Sequence, residues 1–321
     1  MQILFLVIRG EKVKNTKILT EGSMLIAVYC VLLLVSLYVP ILGSLIAFLL
    51  PIPFILITVR HGVKQSVLFL VIGFLLSGLL GSILGIAHTL MFGVAGIVIG
   101  ELIRRERNGI ELFLGATLSY LASIFIMYIA IIGVFQIDVI EMLTEGSRES
   151  FEMAEEIVQA TGTDANTDII FQLEESLEMM QYLIPSLFVF LAMISGFITV
   201  LAIHPILKRL RVQMNPFPPF RDISFPKSII WYYLLILLVS FMELEKGSFA
   251  YTAFLNFFFI LQLFMVIQGL SFIYFYCHQK KISKAIPIVI TILTPFLLYI
   301  IRILGIIDLG FQLRDRVNQK K

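Results

Sequence analysis

The sequence predicts an all-α fold, a polytopic transmembrane helical bundle of about nine spans (roughly 8–10). A six-span N-terminal bundle is followed by about three C-terminal spans, and an external amphipathic helical hairpin interrupts the first group. Three observations carry this expectation. Of 321 residues, 59% are hydrophobic and only 14% are charged, with a mean hydropathy of +0.97, whereas soluble domains carry about 25% charged residues. The apolar residues come in long runs without period-two alternation, which selects helices over a β-barrel. Basic and acidic residues, finally, segregate onto alternate loops.

A helix needs about 20 mostly apolar residues to cross the hydrocarbon core. The runs that approach this length are Met24–Tyr38, Leu42–Val59, Ser66–Leu80, Ile83–Ile99, Leu112–Phe135, Tyr182–Leu207, Ser228–Met242, Phe249–Cys277 and Ala285–Ile303. Residues 1–22 form an N-terminal cytoplasmic segment whose opening, Met1–Ile8, is apolar but too short to span. No cleavable-signal pattern precedes Leu19. The bundle then covers 23–212, including an acidic extracytoplasmic helical insertion at 136–181. A proline-rich cytoplasmic loop occupies 213–227, with Pro216, Pro218 and Pro219 precluding a regular helix. Residues 228–321 form the three-span extension and tail.

Lys and Arg are enriched in cytoplasmic loops. With the N-terminus inside, 17 of the 24 basic residues fall on inner segments and two, Arg148 and Lys246, on outer ones. Twelve of the 22 acidic residues lie between Asp138 and Glu178, on the outer side. This asymmetry predicts a multi-pass protein of a bacterial plasma membrane with a cytoplasmic N-terminus. The tail disagrees, because nine spans would put Arg314, Arg316, Lys320 and Lys321 outside. Pro295 interrupts the last run, so a broken or re-entrant helix is the alternative.

In the acidic insertion, Glu141, Glu145, Glu149, Glu152, Glu155 and Glu156 recur at helical spacing with apolar residues between them. TGTDANT at Thr161–Thr167 breaks the pattern, which resumes over Asp168–Met180. Trp231, Tyr232 and Tyr233 follow Lys227 as an interfacial anchor.

Small residues recur every fourth position in the third and fourth spans: Gly73, Ser77, Gly81, Gly85, Thr89 and Gly93, followed by Gly96 and Gly100. Such stripes let helix backbones approach closely in lipid. They fit a tight bundle core or a mobile interface, with a bend expected at Gly78–Gly85. Polar groups inside a bilayer are costly, which makes His88, Asn256, Gln262 and Gln268 the candidate ligand-binding residues. Hydrogen bonding between helices explains the amides equally well. His204 and Arg302 suit interfaces, and a salt bridge from Arg302 to Asp308 is open.

Other classes of chemistry leave no trace. There is no G-x-x-x-x-G-K-[ST], H-E-x-x-H or G-x-S-x-G, and no pair of intramembrane carboxylates. Cys30 and Cys277 lie apart within apolar runs. Basic residues sit at membrane edges rather than in a nucleic-acid patch. The expectation is a protein with no enzymatic activity, cofactor or metal, whose surroundings are the lipid bilayer.

The stretches LTEG (Leu19–Gly22), VRHG (Val59–Gly62), GELIRR (Gly100–Arg105), PFPPFRD (Pro216–Asp222), FPKSIIWYY (Phe225–Tyr233), VIQGLSFIYFYC (Val266–Cys277) and LLYIIRILGIIDLGFQLR (Leu297–Arg314) resemble the YybS-type predicted membrane proteins of Firmicutes, whose function is not established. The first six spans are also similar to the substrate-binding S component of energy-coupling-factor (ECF) importers. They share Glu21, Gly22, Ser23 and Ala27 opening the first helix, Pro51 and Pro53 in the second, and Gly62–Lys64 before a glycine-rich hairpin. That similarity implies a six-helix bundle binding a small molecule near its outer face. It also implies a first helix, with Ser23 and Ala27, that docks on a transmembrane coupling subunit driven by ATPases of other chains. The three extra spans depart from the pattern. Two functions fit these residues: a small-molecule-binding component of a transport system, or a non-transporting membrane scaffold or regulator that recruits cytoplasmic or membrane partners.

Overall fold

The computed structural model describes residues 2–136, 153, 167–215, 217–242 and 244–319. Among these the regular elements are all helices, and no strand forms. The helices are α1 (Gln2–Tyr38), α2 (Leu42–Ala47), α3 (Pro51–His61), α4 (Val63–His88), α5 (Val94–Arg104), α6 (Gly109–Phe135), α7 (Thr167–Arg209), α8 (Ser228–Val239), α9 (Phe249–Gln279), α10 (Ala285–Ile292), α11 (Thr294–Phe311) and α12 (Leu313–Gln319). The acidic hairpin expected over 136–181 lies largely outside the described residues, as does Pro216. Seven segments among those described are long and apolar enough to cross a membrane: Ile18–Tyr38, Leu42–His61, Val63–Arg104, Gly109–Val134, Met179–Arg209, Phe249–Gln279 and Thr294–Phe311.

Val63–Arg104 runs for 42 residues, twice a normal span, and it reverses within its length. Ser82 adopts φ 52°, ψ −141°, and the backbone of Gly85 then lies against the Ser77 carbonyl. Further along, Gly73 faces Thr89 and Gly93 faces Leu70. These pairs are antiparallel, so the segment is a hairpin whose arms correspond to the third and fourth apolar runs. A five-residue π turn, Thr89–Gly93, joins α4 to α5.

The chain divides into two compact units: residues 1–137 with 188–217, and residues 138–187 with 218–321. In the first, Tyr29, Leu33, Phe54, Ile55, Ile99, Leu112, Tyr120 and Ile203 are fully buried. Edge-to-face rings link Tyr29 to Phe54 (5.0 Å), Phe54 to Phe69 (5.1 Å) and Phe92 to Tyr120 (5.7 Å), a geometry favoured by the ring quadrupole. Tyrosine hydroxyls buried at this depth need partners. Tyr29 pairs with Thr89, and Tyr120 with Thr199 at 2.7 Å. A methyl group on Gly96 would come within 2.7 Å of both the Pro51 carbonyl oxygen and Phe54 Cβ, so α3 and α5 touch backbone to backbone. Large apolar side chains on the outward faces, such as Leu68, Leu75 and Leu79, are exposed, as lipid-facing helices require.

The second unit packs Tyr233, Leu261, Met265 and Leu309 into its centre. Tyr233 stacks over Phe258 and Phe225 lies beside Phe264, at 6.4 and 5.0 Å, so α8 runs antiparallel to the first half of α9. Gly269 lies against the Ile301 carbonyl and Gly305 against the Met265 carbonyl, bringing α9 and α11 into direct backbone contact. The beginning of α7, through Leu187, belongs to this unit rather than to the six-span bundle. The reason is local: Asn256 bonds to Tyr182 and Ser186, and the Tyr182 and Tyr251 rings meet at 5.2 Å. Two expected spans also change. Ser228–Val239 has only 12 helical residues. The last run breaks at Leu293 (φ −81°, ψ 0°) into α10 and α11, and α11 continues past Ile303 to Phe311. Pro295, at the first turn of α11, cannot donate the backbone bond that would fuse them.

Candidate functional site

His88 lies in the first unit, near the end of α4. Its Nδ1 is 2.9 Å from the Leu84 carbonyl oxygen and its ring is 5.9 Å from that of Phe92. The three amides all lie on α9 in the second unit, and they do different things. Asn256 donates through Nδ2 to the Tyr182 carbonyl (2.6 Å) and to Thr252 O (2.8 Å), while its Oδ1 accepts from Ser186 N–H (2.7 Å). Pro185 sits between those two backbone partners and lacks an amide proton of its own. Asn256 therefore matches one donor and one acceptor to the backbone on either side of a proline. Gln262 is half-buried. Gln268, twelve residues beyond Asn256 and about 18 Å further along the helix, is almost wholly buried and anchors the densest polar cluster of the unit.

In that cluster Gln268 Oε1 accepts from Phe225 N–H (3.0 Å), and its Nε2 donates to Asp308 Oδ2 (2.5 Å). Arg314 Nε donates to the same carboxylate oxygen at 3.0 Å. The remaining guanidinium nitrogens reach the Arg221 carbonyl and Ser271 Oγ, each at 2.9 Å. Ser271 lies within 2.7 Å of the Phe220 carbonyl and 2.6 Å of the Ile223 carbonyl. The Asp308 side chain is 2% exposed and that of Arg314 15%. Asp308 Oδ1 has no hydrogen-bond partner among the described residues. The stretch 217–227, regular only in a 3-10 turn at Phe220–Asp222, thus has four backbone polar groups paired by side chains of α9 and the tail.

The sequence brings Gln268 to notice as an intramembrane amide, but it points to Arg302, not Arg314, as a partner of Asp308. In the structure Arg302 stacks over the Tyr299 ring at 4.9 Å, and Asp308 turns inward to Arg314. An acid inside the apolar run LGIIDLG was the available signal. His204 is half-buried on α7.

Most of the small-residue positions are packing surfaces within the chain. Gly81, Gly85, Gly93, Gly96 and Gly100 each face a neighbouring atom closely enough to fill the place of a side chain, Gly73 is in ordinary van der Waals contact with Phe54 and Thr89, and Ser77 is fully buried. Ser23 and Ala27 differ, for both are exposed on α1. Beside them a cleft of about 390 Å³ opens between α1, α3 and α4, lined by Gly22, Ser23, Ile26, Ile57, Gln65 and Phe69 among others. At the level of Gln65, Glu21 Oε2 meets His61 Nε2 at 2.8 Å and Arg60 at 3.7 Å, tying α1 to the end of α3.

Comparison with known proteins agrees with this helical architecture. Residues 27–309 match the family described as "Predicted membrane protein (DUF2232)". The chain is 35% identical over 309 residues to the "Uncharacterized protein YybS" of Bacillus subtilis (strain 168), an alignment covering 95% of this chain and 100% of that protein. No solved structure matches. The chain is an integral membrane protein and belongs to the DUF2232, or YybS, family.

Proposed function

We propose that this protein is a non-enzymatic membrane component that works by docking a second transmembrane subunit against α1. The observation that carries the reading is the outward stripe Leu19, Ser23, Ala27 and Val31. These residues are spaced i, i+4 on one helix face and are all exposed. The Gly73–Gly100 stripe is covered by the chain's own helices, whereas this one is left open among the described residues. Ser23 donates its hydroxyl proton to the Leu19 carbonyl at 2.8 Å, so covering the stripe strands no hydroxyl donor. Small side chains at its centre allow close approach between helices.

The resemblance to ECF S components read from the sequence of the first six spans implies the same face, since it gives the first helix the docking role. A transport assembly and a scaffold share this step. A photo-crosslinking residue at Ala27, introduced into the full chain in native membranes, tests it, with Leu79 as a lipid-facing control. The expected result is a discrete adduct with a second protein at position 27 and lipid labelling alone at 79. Lipid labelling alone at both positions refutes the reading, as does an adduct of twice the chain's own mass.

A further inference from the structure

We infer that the segment following α9 enters and leaves the bilayer on one side, so that the C-terminus shares the side of the Lys208–Lys227 loop. Helix α9 supplies the ruler. Its 31 residues run from the turn at Lys246–Ser248 to Lys280 and Lys281, a length of about 46 Å. That is about the thickness of a bilayer with its headgroups.

Three contacts locate the last segment along this ruler. Thr291 Oγ1 of α10 lies 3.1 Å from Tyr274 OH, close to the lysine end. Gly305 of α11 lies against the Met265 carbonyl, the deepest of the three. Arg314 then returns to Ser271 and, in the same cluster, bonds to the Arg221 carbonyl of the proline-rich loop. Gln312, in the left-handed conformation (φ 50°, ψ 53°), ends α11 before this return.

Distance closes the other route. From Ser271 the lysine end of α9 is eight residues away, about 12 Å, while Phe249 at the opposite end is 22 residues away, about 33 Å. The Arg314 guanidinium, bonded to Ser271 and to the Arg221 carbonyl, is therefore held on the lysine side of α9. Placing this segment on that side also joins Arg314 and Arg316 to the 17 basic residues of the inner segments, which is the distribution the positive-inside rule favours. The side is therefore cytoplasmic, and α10 and α11 form a re-entrant pair clamped by Arg314 to the proline-rich loop.

Single cysteines at Ser283, Asp315 and Gly247, in full-length protein with Cys30 and Cys277 replaced by alanine, test this with a membrane-impermeant maleimide. In intact cells only Gly247→Cys is expected to label, and permeabilisation should expose Ser283→Cys and Asp315→Cys together. Labelling of Asp315→Cys in intact cells, on the same side as Gly247→Cys, overturns the inference. A C-terminal alkaline phosphatase fusion on the otherwise native chain gives an independent reading: inactivity supports a cytoplasmic end and activity overturns it. Adding Arg314→Gln is expected to speed labelling of Asp315→Cys several-fold without changing its side, and an unchanged rate overturns the clamp.

Discussion

Replacing Arg314 by methionine isolates the energetics of the buried cluster. Methionine keeps much of the arginine's length, so the change removes charge and hydrogen bonds more than volume. Three bonds disappear, to Asp308 Oδ2, the Arg221 carbonyl and Ser271 Oγ, and a hydrogen bond to a charged group is worth about 1.5–3 kcal/mol. Their sum overstates the loss, because bonds within one network are not additive. Breaking a buried pair by removing one member typically costs about 3–5 kcal/mol, and Arg314→Met is expected in that range. Asp308→Leu should cost less, about 3 kcal/mol, since Arg314 is partly exposed and keeps two acceptors. Because both substitutions remove the same ion pair, the double variant should fall short of the sum by about 2 kcal/mol or more. Reversible unfolding in mixed micelles, titrated with dodecyl sulfate, provides the measurement. Trp231, the single tryptophan, lies in the second unit and reports on it by fluorescence. A coupling below about 0.5 kcal/mol, the scatter expected of independent sites, would show that the two residues do not act as a pair.

Two other changes have defined signs. Asn256→Leu removes the side chain that pairs the Tyr182 carbonyl and Ser186 N–H around Pro185, and should destabilise the second unit by about 1–3 kcal/mol in the same titration; a change under about 0.5 kcal/mol would mean that the backbone repairs itself. Ser82→Gly should stabilise the first unit, because a non-glycine residue at φ 52°, ψ −141° carries about 1–3 kcal/mol of strain, partly offset by glycine's greater entropy in the unfolded chain. Thermal unfolding in detergent reads the result, and a lower midpoint would show that the reversal is not strained.

Asn256 and Gln268 show what a linear pattern conveys and what it omits. Their cost inside an apolar helix is visible in the sequence, which is why they are ligand candidates there. Their distant partners are backbone groups of Tyr182, Ser186 and Phe225 and the Asp308 carboxylate, between 40 and 74 residues away. No local spacing encodes those pairings. The stripe from Gly73 to Gly100 announces close helix packing, but not which helices meet; that depends on the reversal at Ser82, where a serine takes a conformation that its identity does not suggest. Ser23 and Ala27 look like members of the same class in sequence, and only burial separates an open face from a filled one.

The sequence by itself determined that this is a helical membrane protein and where its long apolar segments fall, because burying about 20 apolar residues per span outweighs any detail of packing. It also determined the distribution of charge along the chain, which is a property of composition and order alone. Tertiary structure decided how the last apolar run is used. A break at Leu293, an acid turned toward Arg314 instead of Arg302, and a guanidinium bonded to Arg221 and Ser271 are pairings across as many as 93 residues. Their energies depend on distance in space, and hydropathy, a sum over neighbours in sequence, carries no record of it.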